Sequence, residues 1–151
     1  MKKQKNKLVK TNYVLFADHA FVLTGGKLGI VGIFDILGVM KFPTSHPKMF
    51  IVANIIGEAR SAHDVKINMF DPDGIDLLAP NGPNFKVQLS GTGSGNILQE
   101  MVGLAFNKPG EHTAVLSVDG KDTYKSVLTV VKTKSSDNLR RGDDRGSVEK
   151  N

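Results

Sequence analysis

The stretch Gly25–Val39, GGKLGIVGIFDILGV, is the longest apolar run in the 151-residue chain. Gly25-Gly26 opens it with a dipeptide that takes positive φ without steric cost, as a tight hairpin turn requires. Ile30, Val31, Ile33, Phe34 and Ile36 are β-branched or aromatic, the residue types that suit a pleated, buried surface. Gly29 and Gly32 argue against a helix, and Lys27 and Asp35 place charge at its ends. The stretch therefore reads as a central strand of a sheet sandwich.

Working outward, short alternating segments recur between turn signals. Tyr13–Asp18 and Phe21–Thr24 read as short strand pieces before the glycine turn. Met40–Lys48 holds Pro43 and Pro47 and reads as a loop, because two prolines remove two ladder donors. Met49–Ile56, MFIVANII, is apolar at both parities, the mark of a strand covered on both faces. His63–Phe70 alternates, with Val65, Ile67 and Met69 on one side. Asp71-Pro72-Asp73-Gly74 is a turn, and Ile75–Ala79 starts a return strand toward Phe85, Val87 and Leu89. Residues 97–106 fit helix and strand equally. Asp119-Gly120 marks a two-residue hairpin between His112–Val118 and Lys121–Val131. These segments predict an all-β fold, a single antiparallel β-sandwich over residues 12–132. A lysine-rich flexible arm over 1–11 and a disordered tail over 133–151 are expected to flank it.

Composition narrows the function classes. The chain has no cysteine, so disulfides and thiolate metal sites are excluded. Its formal net charge of +5 sits in the ends, because residues 11–131 hold 9 basic against 11 acidic side chains. A folded face that bound a phosphate backbone would carry the excess itself, so nucleic-acid binding by the sandwich is not expected. Lys2, Lys3, Lys5, Lys7 and Lys10 offer weak electrostatic contact with nucleic acid, anionic lipid or an acidic partner, although a solubilising arm is the plainer account. The apolar run after this head is broken by Asp18 and His19, so neither a signal peptide nor a membrane span is read and a cytoplasmic location is expected.

Two blocks carry a family resemblance. They are LFADHAF through GGKLGIVGIFDILG to FPTSHPKMFIVANI, residues 15–55, and NKPGEHTAVLSVDGKDTYKSVLTVV, residues 107–131. Together they resemble a family of small uncharacterised bacterial proteins, a domain of unknown function. The resemblance implies an immunoglobulin-like sandwich and implies no activity. His112 stands where that family's closing hairpin usually shows Tyr.

Candidate chemistry is sparse. Asp18 and His19 are adjacent, so on a strand they point to opposite faces and need a third residue such as His46 for metal or acid-base work. His19, His46, His63 and His112 follow no metal-ligand spacing, and no metal or cofactor is expected. The Gly91, Gly93 and Gly95 loop, SGTGSGN, lacks the spacing and the βαβ context of a phosphate loop. Asp71, Asp73 and Asp76 do not continue into a calcium loop, since Gly82 stands where its glutamate belongs. No G-x-S-x-G elbow marks a serine nucleophile. The leading expectation is a non-enzymatic binding or assembly protein, with protein as partner, self or another. Contacts are expected through loops or edges, with Asp18, His19, His46, Gly91, Gly93 and Gly95 as candidate contact residues. The alternatives are a structural subunit of an oligomer, for example a bacteriophage virion or assembly component, and a hydrolase or metal enzyme using Asp18, His19 and His46.

Overall fold

The computed structural model describes residues 8–134. They form nine strands: β1 (Lys10–Val22), β2 (Leu28–Phe34), β3 (Ile36–Val39), β4 (Thr44–Ile56), β5 (Ala62–Phe70), β6 (Asn84–Gln88), β7 (Ser94–Phe106), β8 (Gly110–Val118) and β9 (Lys121–Lys132). The order β2-β1-β4-β7 makes a four-stranded sheet and β3-β9-β8-β5-β6 a five-stranded one. The all-β sandwich is thus present, with one departure from antiparallel pairing: β3 runs parallel to β9.

The residues that build the core come from alternate positions of facing strands. Met49, Ile51, Ala53 and Ile55 of β4 meet Val65, Ile67 and Met69 of β5 and Leu128 and Val130 of β9. Each large side chain of this set contributes about 1.5–3 kcal/mol by leaving water. Phe50 and Val52, of the other parity, belong to a separate apolar cluster with Ala20, packed by Tyr13, Leu28, Ile30 and Leu98. Successive strand side chains point to opposite faces, so β4 is apolar on both, as its sequence indicates.

The stretch Gly25–Val39 is not a central strand. It divides at Asp35 into β2, an edge of one sheet, and β3, an edge of the other. Asp35 sits at the crossing, where its carbonyl accepts the Thr129 N–H at 2.9 Å. Phe34 packs on the core beside Phe16, ring centroids 6.4 Å apart, whereas Ile33 is 59% exposed. Apolar content marked the run as strand, but edge and centre differ in what pairs alongside, which a single run does not encode.

Four other expectations are corrected. The two pieces before the glycine turn are one strand, β1, which starts at Lys10, so the arm over 1–11 does not extend that far. Lys10 is paired with Ile56, while Lys2, Lys3, Lys5 and Lys7, with most of the expected tail, lie outside the described residues. β4 begins at Thr44 and runs through Pro47, which falls in a gap of the ladder between His46↔Leu104 and Lys48↔Val102. Its missing N–H costs no pairing there. Ile75–Ala79 forms no strand; only the single bridge Phe70↔Asp76 returns.

Residues 97–106 are strand. Buried positions fall at Ile97 and Met101, then at Leu104 and Phe106, so the inward parity changes across Gly103, whose φ is +66°. The resulting spacing of four then three imitates a helix face.

Candidate functional site

Two places in the sandwich combine unusual residues. The first is the end where the loop Gly57–Ser61, the glycine loop 90–95 and the Asp119-Gly120 turn meet. Ser61 and His63 lie two apart at the start of β5, so they share a side of the strand. β5 neighbours β8 with Val65 opposite Val118, which carries the β8–β9 turn to the same end. Asp119 (φ 51°) and Gly120 (φ 79°) form that turn with both residues left-handed, the geometry the Asp-Gly pair predicts.

Side chains there form a chain of short contacts. Ser61 Oγ lies 2.7 Å from His63 Nε2, and His63 Nδ1 lies 2.6 Å from Asp119 Oδ2. Asp119 Oδ1 accepts the Asp64 N–H at 2.9 Å, and the Asp119 N–H donates to the Asp64 carbonyl at 2.8 Å, so the carboxylate is held on both sides. Burial alone would push the Asp119 carboxyl up. The hydrogen bond from His63, the Asp64 N–H and the charges of His63 and Lys86 outweigh it, and the carboxyl sits below its ordinary value. The His63 side chain is 11% exposed. Ser61 Oγ also donates to the Glu58 carbonyl at 2.6 Å. A groove of about 1170 Å³ runs past Ser61, His63 and Asp119, with Val9, Val118, Lys10 and Lys121 among its walls.

The glycine loop braces this end rather than lining the groove. The Gly57 N–H donates to the Gly93 carbonyl at 2.9 Å, the Arg60 N–H to Ser90 at 3.0 Å, and the Leu89 N–H to Ser61 at 2.9 Å. Gly93 has φ +78°, and a Cβ there would lie 2.2 Å from the Gly57 carbonyl oxygen. Gly91 lies beside the Arg60 guanidinium, and Gly95 is buried under Leu89 and Val87. Arg60, just before Ser61, is itself left-handed at φ 62°.

The second place is the face of the four-stranded sheet turned away from the five-stranded one. Cross-strand register puts Ile33, Ala17 and Phe50 in one row and Leu15, Val52 and Leu98 in the next. Val31 (55% exposed) and Ile33 stand on its β2 flank, and Val102 (74% exposed) on its β7 flank. A polar ladder borders one end, where Asn12 Nδ2 donates to Asn54 Oδ1 at 2.7 Å and Asn54 Nδ2 to Asn96 Oδ1 at 2.8 Å. Glu100 stands opposite Phe50 in the first row and pairs at 3.5 Å with Lys48, which lies opposite Val102 in the row beyond.

The remaining sequence candidates are dispersed. His19 lies on this second face, its ring against Phe50 (5.3 Å) and Phe21 (5.6 Å). Asp18 faces Gly32, with a carboxylate oxygen where a side chain at Gly32 would begin. His46 pairs with Leu104, four residues and so about 13 Å of strand from the Phe50 that His19 touches. The structure does not bring Asp18, His19 and His46 together, and among the described residues no group of three or more His, Asp or Glu is placed to hold a metal. The Asp71–Asp76 turn is occupied by its own backbone: Asp71 Oδ1 accepts the N–H groups of Asp73 and Ile75, both at 2.9 Å. The Ser61–His63–Asp119 chain escaped sequence reading. Only the Ser-x-His spacing was visible, and Asp119 joins it through β5–β8 pairing.

A family model described as "Family of unknown function (DUF6941)" matches residues 12–131, and the chain belongs to that family. No curated protein matches it. Among solved structures, the alkylpurine DNA glycosylase AlkC of Pseudomonas fluorescens, bound to DNA containing an abasic site analog, is 13% identical with a TM-score of 0.44, covering 81% of this chain and 30% of that one. The beta-glucosidase of Listeria innocua in complex with isofagomine is 10% identical, TM-score 0.48, over 84% of this chain and 16% of its own. An immunoglobulin-like protein from Pseudomonas aeruginosa is 11% identical, TM-score 0.42, over 82% of this chain and 97% of its own. The chain therefore spans under a third of the first two proteins. None of the three speaks to what this chain does.

Proposed function

We infer that this member of a family of unknown function is a cytoplasmic binding and assembly protein that works by contact, and that its contact surface is the outer face of the four-stranded sheet. The observation that supports the reading is that Val31, Ile33 and Val102 stand exposed around Phe50 and Val52, which are themselves buried on that face. Outer sandwich faces ordinarily alternate to polar residues, and exposed apolar side chains flanking such a face among polar groups are the composition of a protein interface. The occupant is a second copy of the chain. Lys48 and Glu100, paired within the chain, carry opposite charges on this face, so a two-fold arrangement brings each copy's pair against the other's while the apolar flanks meet. No helix among the described residues is long and apolar enough to cross a membrane. Hydroxyl-radical footprinting at low and high protein concentration tests the reading. Protection that grows with concentration at Val31, Ile33 and Val102 supports it; protection confined to the five-stranded sheet overturns it.

A further inference from the structure

Beyond contact, we propose that Ser61 is an activated nucleophile, with His63 as its general base and Asp119 as the group that positions the imidazole, acting on small carboxylic esters that enter the adjoining groove. A carboxylate can only accept hydrogen bonds, so the 2.6 Å contact with Asp119 places a proton on Nδ1, and the proposed base is the ring that carries no second proton. Nε2 is then a lone pair, and it faces Ser61 Oγ at 2.7 Å, within the range for proton abstraction. Three features give the arrangement its order. Asp119 is anchored through both carboxylate oxygens and its own N–H. His63 is almost wholly enclosed. Ser61 follows a left-handed arginine in a loop pinned by Ser90 and Gly93. A nucleophile bonded to a base that a third group orients is the geometry of covalent acyl transfer, recognised by roles rather than by chain order. The Glu58 carbonyl, 2.6 Å from Oγ, is a second acceptor for the one hydroxyl proton, which turns to Nε2 by rotation about the Cβ–Oγ bond.

In the step proposed, Ser61 Oγ forms a bond to the ester carbonyl carbon as its proton passes to His63 Nε2. The C–O bond to the alkoxy group then breaks, and that oxygen takes the proton from Nε2. Water, activated by the same nitrogen, hydrolyses the acyl-serine and returns the hydroxyl. Lys10 and Lys121 supply positive charge in the groove for the transient oxyanion, and Val9 and Val118 give apolar wall for a short acyl group.

The test uses the full chain with a fluorophosphonate probe, in which an Oγ–P bond replaces P–F and fluoride leaves, and with p-nitrophenyl acetate as ester. Expected are one label per chain, located on Ser61 by peptide mass, and acetate release abolished in Ser61→Ala. Labelling should slow on the order of 100-fold in His63→Gln and in Asp119→Asn, the scale of one general base. Wild-type labelling should rise with pH through a single inflection that His63→Gln removes. A structural role for the three residues moves neither readout. Thermal melts show which variants are folded, and Ser61→Ala, at a partly exposed position, keeps the comparison intact if His63→Gln unfolds. A folded wild type left unlabelled at Ser61, or labelling equally fast in Asp119→Asn, overturns the proposal.

Discussion

Adjacent residues at the end of β2 give a sharp test of the fold. Phe34→Asp places a carboxylate beside Phe16 and the shared core, whereas Ile33→Asp places one on the outer face, where Ile33 is already 59% exposed. Removing a buried aromatic side chain costs about 3–5 kcal/mol, and an unpaired buried charge adds to that. Phe34 is only partly buried, which brings the expected loss to about 4 kcal/mol. Ile33→Asp forfeits some strand preference and little burial, at a cost of about 1 kcal/mol or less. With a urea slope of about 1–3 kcal/mol/M, the two midpoints should differ by about 1.5 M. Urea titration at low protein concentration reads the difference without a contribution from association. Equal midpoints, or a larger loss at Ile33, would refute the division of Gly25–Val39 into two edge strands with Phe34 turned inward.

Three further outcomes follow from single residues. Gly93→Ala forces a left-handed side chain against the Gly57 carbonyl and should lower stability by about 2 kcal/mol or more in the same titration. Asp76 accepts hydrogen bonds from Asn68 Nδ2 (2.7 Å), the Leu78 N–H (3.0 Å) and the Met69 N–H (3.3 Å). Burial would raise its pKa, but these bonds and the charge of Lys66 outweigh that, so its folded pKa lies below the ordinary value. Its stabilisation is therefore full above the ordinary carboxylate pKa of about 4 and is lost as pH falls through the lower folded value. The stability gap between wild type and Asp76→Asn should be widest near pH 6 and narrow below pH of about 4. His112 is fully buried against Phe106, its Nδ1 on the Gly110 carbonyl at 3.0 Å and its Nε2 without a partner among the described residues. His112→Phe removes the unpaired nitrogen and frees the carbonyl, two effects of similar size and opposite sign, so its melting temperature should stay within a few degrees of wild type.

What the sequence made legible was local. Gly25-Gly26, Asp71–Gly74 and Asp119-Gly120 announce turns because positive φ, proline and Asx chemistry act within four residues. MFIVANII announces a strand buried on both faces because both parities are apolar. What pairs with what is not local. Ile33 and Phe34 look alike in sequence; alternation puts them on opposite faces, and only the pairing of β2 with β1 turns Phe34 toward the core and leaves Ile33 exposed. Residues 97–106 were ambiguous because Gly103 shifts the inward parity and imitates helical spacing. The same limit governs the sites. His19 and His46 looked like partners and lie apart along the sheet, while Ser61, His63 and Asp119 looked unrelated and are brought together by β5–β8 pairing. The outer apolar face was hidden for a related reason: its members come from four different strands.

The most direct test of the contact surface is the molar mass of the wild-type protein by light scattering after size exclusion, at low and high salt. An apolar face with a minor charged pair predicts a defined dimer whose mass is the same at both salts. A monomer at both salts, or an assembly that salt dissolves, would contradict it.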